Sequence, residues 1–499
     1  MVLQLLLANE QVFRSGIALK ELSSTFRDAV TLVHRLGYRY IWIDSLCIIQ
    51  DSVSKKDWKQ EAQTMKHVYG NSFCNISAIR SSHDVSFGLF GKRFVPPRSF
   101  YPFSADLELP KGDKNPTGKW NFWLDSLWIN EMNKAPLTGR GWVVQERFLT
   151  RRIIHFTKSQ IYWECLEHCR CEEDPKDQFG LLHLGSHSEV GQQAREYKAA
   201  LRKIIRESVS VDGRRTPVWQ TNEHSWPTLR DCWRIMVSTY SRCDLSYETD
   251  RLIAISGVAK KFEEMYVHDR YFDGIWKDGL HTDLLWESNA SRSARVVRNT
   301  AFAPSWSWAS LHDKSVTVPG KNVSDPDENV ATPNAHPKFC VTVPTAHQKF
   351  GGEPNSCIEF VAVRIRPEGG SDDATALLQS SELDIDCFLH HFKRDAKSKT
   401  IEIFDDETLS KKIPNMQKIG EDKLRLDTEE LVRRFNQDED VTGVCIPVQE
   451  ASEGYGHRNV RYLLLEPDSE LRYKRWGTVV GGGFGLRWDT SKRTRITLV

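Results

Sequence analysis

No apolar run in the 499 residues approaches the roughly 18 to 20 that a helix needs to span a bilayer. The opening Val2-Leu3-Gln4-Leu5-Leu6-Leu7-Ala8 lacks a basic flank, is short, and is broken by Gln4, which argues against a secretory leader. Neither charge is in excess: 68 Lys and Arg against 67 Asp and Glu leave a formal charge of +1. A near-neutral chain gives no global electrostatic reason to expect nucleic acid or an anionic membrane as partner. A disulfide framework is missing too, because the eleven cysteines are odd in number and scattered, as free thiols of a reducing compartment would be. The expectation is a cytoplasmic protein with no membrane span and no nucleic-acid partner.

Catalytic signatures are equally scarce. No G-x-S-x-G elbow occurs and the histidines are dispersed, so neither a Ser/His/Asp nor a Cys/His nucleophile can be assembled. Gly481-Gly482-Gly483-Phe484-Gly485 lacks both the Lys-Ser/Thr of a phosphate loop and the third glycine of a dinucleotide fingerprint; it reads as a turn beside a strand. Cys165, Glu167, His168, Cys169 and Cys171 are metal-ligand types, but their spacing has no matching distant pair, so no metal is expected.

What is present centres on residues 25–78. Leu22, Phe26, Ala29, Val33 and Leu36 follow 4-3-4-3 spacing, an amphipathic helix with Ser23 or Ser24 as N-cap and Gly37 as its end. Tyr38 to Asp44 is almost continuously apolar and aromatic, which predicts a strand covered on both faces, as in a parallel sheet. Asp57 is placed to cap a second helix with the stripe Trp58, Ala62, Met65 and Tyr69, and Phe73 to Ala78 alternates as a further strand. This order predicts an α/β fold with right-handed crossovers.

Arg80 to Lys119 is punctuated by prolines and reads as loop-rich, whereas Gly139 to Arg147 restarts a helix and Ile153 to Cys165 reads as a hairpin turning at Thr157 to Gln160. Further helices are expected near Tyr197 to Ser208, Leu229 to Tyr240, Leu252 to Phe262 and Trp276 to Trp286. Short β-like runs follow from Cys357 onward. The predicted organisation is therefore an α/β domain over 1–150, a helical or mixed extension over 151–312, a linker or long loop over 313–355, and a mainly β region over 356–499. The sixteen tryptophans, clustered at Trp120, Trp123 and Trp128 and at Trp306 and Trp308, suit core and seam packing.

In a parallel sheet, ligands lie beyond the carboxyl ends of the strands. Asp44, Ser45 and Cys47 follow the predicted strand, and Glu61 lies one turn beyond Trp58 on the next helix. A carboxylate beside an aromatic wall can stabilise a developing cation or act as general acid or base once burial raises its pKa. The same residues also fit structural roles, with Asp44 in a turn, Cys47 in the core and Glu61 on a solvated face. Arg140, Trp142, Gln145 and Glu146 form a second cluster, in which Trp142 and Glu146 share a helix face and Glu146 can pair with Arg140 or Arg147.

Thr25 to Ala29, the run Trp42-Ile43-Asp44-Ser45-Leu46-Cys47-Ile48-Ile49-Gln50-Asp51, Asp57-Trp58 with Glu61, and Arg140-Gly141-Trp142 with Gln145-Glu146-Arg147 together resemble the fungal heterokaryon incompatibility (HET) domain. Ile161 to Cys165, Asp250 to Gly257 and Pro304 to Ser310 look like stretches of large proteins that carry it. The resemblance implies a role in fungal non-self recognition and programmed cell death, acting by self-association or partner binding. It also implies a TIR-like, flavodoxin-like parallel-sheet core, and some TIR domains cleave NAD at the nicotinamide–ribose bond with a glutamate. Carried over, that chemistry makes NAD a substrate, Glu61 the first catalytic candidate, Glu146 the second and Asp44 the third, with Ser45, Cys47, Trp58, Arg140 and Trp142 binding. Family members usually begin with a strand reading roughly Ala-Leu-Ser-Tyr-x-Trp-Gly, which does not precede Leu3 to Ser24 here. The expectation is thus a core without its first strand, from a truncated reading or a degenerate, inactive copy.

Overall fold

The structure is a computed structural model and describes residues 3–80, 87–93, 103–107, 118–122, 131–132, 135–166, 169–172, 175, 229–265, 269–288, 296–313, 341–342, 355–365, 381–405, 407–413, 416–437, 439–452, 457–484 and 492–499. These residues divide into two compact units, one within Met1–Lys203 together with Ile253–Lys261, the other within Ile204–Leu252 and Phe262–Val499.

In the first unit, helix α1 (Ser24–Arg35) starts as its sequence dictates, with the Ser23 hydroxyl accepting the Phe26 amide at 3.3 Å. Gly37, at φ +79°, supplies the left-handed residue that ends it. Helix α2 (Lys56–Asn71) is not capped by Asp57 as predicted. Asp57 lies in its first turn, and its carboxylate instead accepts the Ile49 amide at 2.7 Å.

Strand β1 (Asn75–Ser77) follows α2, and α3 (Gly141–Leu149) leads into β2 (Arg152–Phe156), β3 (Ile161–Cys165) and β4 (Cys169–Cys171). The sheet order is β1-β2-β3-β4, with β1 and β2 parallel and the two later pairs antiparallel. The predicted hairpin turning at Thr157 to Gln160 is therefore present. Alternation divides its side chains between two faces: Tyr162 and Cys171 join Ile79, Met132 and Ala135, while Ile154 and Ile161 pack against Ala29, Leu89 and Phe156.

Two expectations need correction. The sheet of the first unit is mixed, with one parallel pair among its four described strands, so the expected parallel-sheet core is a mixed α/β arrangement there. The predicted buried strand at Tyr38 to Asp44 does not form. Ile43 is extended, at φ −133° and ψ 119°, but Arg39 to Trp42 make no backbone hydrogen bond among the described residues. Apolar composition favoured a strand, yet a strand exists only where a neighbour completes its ladder. Within the stretch predicted to be loop, Phe103–Leu107 and Gly118–Phe122 pair as an antiparallel ribbon.

The second unit has the buried helix α4 (Leu229–Tyr240), whose Trp233 packs edge-on against Phe262, Tyr271 and Trp276 at 5.4 to 5.6 Å. The segment Trp276 to Trp286, predicted helical, instead closes a hairpin (Tyr271–Phe272 with Ile275–Trp276) and adds one helical turn, Leu280–Asp283. An Asp273-Gly274 turn, with φ of 40° and 105°, makes that hairpin, a turn signal outweighed in the reading by the apolar residues after it.

The region after Cys357 is mainly β, as expected. An 11-stranded sheet there runs along Glu359–Ile365, Ser381–Cys387, Thr494–Leu498, Arg472–Phe484, His457–Ser469, Val441–Ser452, His390–Asp395, Thr400–Phe404 and Ile419–Gly420, with two short strands off this path. Phe392, Phe435, Tyr462 and Trp476 lie at the heart of its core. The helix expected near 197–208 and most of the expected linker 313–355 lie outside the described residues.

Candidate functional site

The candidate residues of the first unit meet where α2 and α3 face each other. The extended stretch from Tyr38 breaks at Asp44 into one helical turn, Asp44–Cys47, closed by the Leu46 and Cys47 amides on the Ile43 carbonyl at 3.0 and 2.9 Å. Leu5 fastens this turn, its amide donating to the Ser45 carbonyl at 2.8 Å and its carbonyl accepting the Gln50 amide at 2.9 Å. Asp57 ties the following loop to α2 through Ile49.

Helix α2 then presents Trp58, Glu61, Ala62, Met65 and Tyr69 within three turns. Ala62 and Met65 are buried, and the residues flanking them reach across to α3. Trp58 meets Trp142 edge-on with ring centroids 5.8 Å apart, and Tyr69 meets Trp42 edge-on at 5.7 Å. Tyr69 donates its hydroxyl hydrogen to the Glu146 carboxylate. Burial pushes the Glu146 carboxyl up to about 7; the Tyr69 hydrogen bond and Arg140 pull it down, and the nearby Asp44 charge pushes it further up. The Tyr69 hydroxyl is itself driven well above its usual range by burial and by the Glu146 charge.

Glu61 lies elsewhere on the same rim. Its carboxylate accepts the Thr64 hydroxyl at 3.0 Å within its own helix. Cys47 is exposed by surface area, yet partial burial raises its thiol, with the Asp44 and Glu61 charges adding to the effect. The Ser45 hydroxyl is buried without a hydrogen-bond partner among the described residues. Asp44, Cys47 and Glu61 thus share one field, and Asp44, Tyr69, Arg140 and Glu146 share another, with Asp44 common to both.

Glu146 pairs with neither of the partners expected from sequence alone as its closest contact. Arg147 instead forms a buried two-point pair with Glu164 on β3, at 2.8 and 2.9 Å, and His155 of β2 reaches the same carboxylate at 3.1 Å. That network is interior scaffolding: it fixes α3 on the sheet and leaves Glu146 pointing to Tyr69. Gln145 does similar work, its side-chain oxygen accepting the Gly257 amide at 3.0 Å.

Tyr69 is the functional candidate that the sequence reading passed over. Its place on an apolar stripe reads as packing, but a tyrosine there carries a hydroxyl that needs a partner when buried, and that was the available signal. Among the described residues no group of three or more His, Cys, Asp and Glu side chains could hold a metal ion. Glu167 and His168 lie outside the described residues. No described helix is long and apolar enough to cross a membrane.

Chemically the arrangement offers a carboxyl that exchanges its proton near neutral pH, a second carboxylate and a guanidinium close to it, and indole rings at its edge. No curated protein and no solved structure matches the chain. Residues 6–146, which take in every candidate from Asp44 to Glu146, match the family model for heterokaryon incompatibility protein (HET), so the chain carries a HET domain over that range.

Proposed function

We propose that this chain is a signalling protein of fungal non-self recognition, whose HET domain triggers growth arrest and cell death by self-association or partner binding. The HET match over residues 6–146 carries this reading. Exposed apolar side chains within that range, among them Leu7, Val12, Leu19, Leu36, Tyr40, Val53 and Phe73, support a surface that meets other proteins. Induced expression in fungal cells tests it: growth arrest is the expected result, and normal growth at full protein accumulation contradicts it.

A second reading, hydrolysis of NAD at the nicotinamide–ribose bond, is favoured by one feature, the neutral-range Glu146 carboxyl one helical turn beyond Trp142, whose ring meets Trp58. In that reaction the bond from ribose to the pyridinium nitrogen breaks and its electron pair returns to the leaving nicotinamide. Water adds to the ribose carbon and gives its proton to Glu146. Asp44 stabilises the developing ribosyl cation, Trp58 and Trp142 flank the base, and Arg140 takes a phosphate, with Ser45, Cys47 and Glu61 lining the rim. Nicotinamide release measured with the wild type, Glu146→Gln and Glu61→Ala tests this reading. Release abolished by Glu146→Gln and retained by Glu61→Ala is expected; no release from folded, concentrated protein contradicts it.

A further inference from the structure

Tyr38 to Ile43 is rich in apolar and aromatic side chains and is extended where it reaches Ile43, yet its backbone from Arg39 to Trp42 is open, an unusual combination for a segment beside a sheet. Arg39, Tyr40, Ile41 and Trp42 make no backbone hydrogen bond among the described residues. Strand β1, whose Ile76 packs against the same cluster as Ile41, is an edge strand among the described residues, paired on one side by β2. Tyr40 is 85% exposed and Phe73 54%, both far beyond what packing a core requires.

The charges at the Tyr38–Tyr40 end of this edge are arginines, while Asp44 closes its other end. Arg39 lies 5.8 Å from the Tyr40 ring, Arg152 lies 5.1 Å from the Phe73 ring, and Phe73 meets Tyr38 at a tilt with centroids 4.5 Å apart. None of Arg35, Arg39, Arg151 and Arg152 has an acidic partner among the described residues. Arg39 and Arg152 thus lie against aromatic rings at that end with no ion pair among the described residues.

We infer that the Tyr38–Ile43 edge and its arginines dock an extended acidic polypeptide segment from a partner protein. Backbone amides and carbonyls left open in an extended stretch are satisfied by another extended backbone, the recognition mode of strand addition. Alternation puts Arg39 and Tyr40 on opposite faces, and Arg152 lies over the Phe73 ring that meets Tyr38, so the partner strand meets an arginine on either face at that end and needs acidic residues there, with apolar ones toward Ile41 and Trp42. Phosphates of a nucleic acid would neutralise the arginines but cannot donate to the open carbonyls. The inference concerns partner chemistry and is read in vitro, so it stands or falls separately from growth arrest in cells.

Fluorescence anisotropy with the full chain and a short fluorescein-labelled peptide of alternating Glu and Val is the test. Saturable binding is expected, weakened at least about tenfold by combined Arg39→Glu and Arg152→Glu and left unchanged by Lys397→Glu. A peptide of alternating Lys and Val, or the acidic peptide N-methylated at alternate residues, should not bind. Circular dichroism of the surface variants confirms that they fold. The inference is overturned if the acidic peptide does not bind, if charge reversal leaves its affinity unchanged, or if N-methylation is tolerated. A labelled single-stranded oligonucleotide that binds more tightly than the peptide, with the same sensitivity to charge reversal, also overturns it.

Discussion

Tyr69, at the end of one helix, donates its hydroxyl hydrogen to Glu146 in the middle of another, and this bond joins α2 to α3 at the candidate site. It holds a carboxyl that burial has brought to about 7, where both protonation states are populated under ordinary conditions.

The sign of the resulting pH dependence is fixed. Glu146 has a folded pKa of about 7 against an ordinary 4.5, so the fold favours its protonated form. Below the ordinary value both states hold the proton and no penalty exists; as pH rises toward 7 the unfolded chain loses its proton first, and the fold is destabilised by up to about 3 kcal/mol. Glu146→Gln removes the titration. Urea unfolding from pH 4 to 8 should show the variant gaining stability relative to wild type as pH rises, and equal pH profiles would contradict the assignment.

Tyr69→Phe removes a hydrogen bond that favours the charged carboxylate. The Glu146 carboxyl should then titrate higher still, which carbon NMR of labelled glutamate reads directly. A downward shift would mean that Tyr69 does not donate to it.

Glu164→Ala should cost the first unit about 3–5 kcal/mol, because it removes the carboxylate that pairs with buried Arg147 and accepts from His155. Chemical denaturation measures this loss, and a cost below about 1 kcal/mol would show that water reaches the network.

The second unit has its own buried charge centre. Arg475 is fully buried, pairs with Asp427 at 2.7 and 3.1 Å, and lies 3.4 Å over the Trp286 ring, while Arg298 reaches the same carboxylate at 2.6 Å. Asp427→Ala should therefore destabilise by about 3–5 kcal/mol, and the further change Arg475→Met should recover part of that loss. Additive costs in a double-mutant cycle would refute the coupling.

Gly257 is required by contact rather than by backbone angle. A Cβ there would lie 2.5 Å from the Gln145 side-chain oxygen and 2.9 Å from Lys66 Cβ. Gly257→Ala should cost about 1–3 kcal/mol by denaturation, and less in a Gln145→Ala background. An equal cost in both backgrounds would place the clash elsewhere.

Much of the candidate site was legible because its residues carry local signals. Ser23 before an apolar stripe gave the start of α1, and the 3.6-residue period gave α2 and the face bearing Trp58 and Tyr69. The hairpin at Ile153 to Cys165 and the β-rich region after Cys357 followed from β-branched runs between turn residues. What failed depended on distant partners. Tyr38 to Asp44 had the composition of a strand, but no neighbour completes its ladder among the described residues. Glu146 could be placed on a helix face, yet its bond to Tyr69 rather than to a nearby arginine required the packing of two helices remote in sequence. Glu61, favoured by its position in the HET pattern, is engaged by Thr64, and only coordinates reveal which carboxyl burial has perturbed.

The central claim, that this HET-domain chain signals growth arrest, is tested most directly by colony growth of fungal cells after induced expression. The account predicts arrest on accumulation of the intact protein, and unimpaired growth at the same level would contradict it.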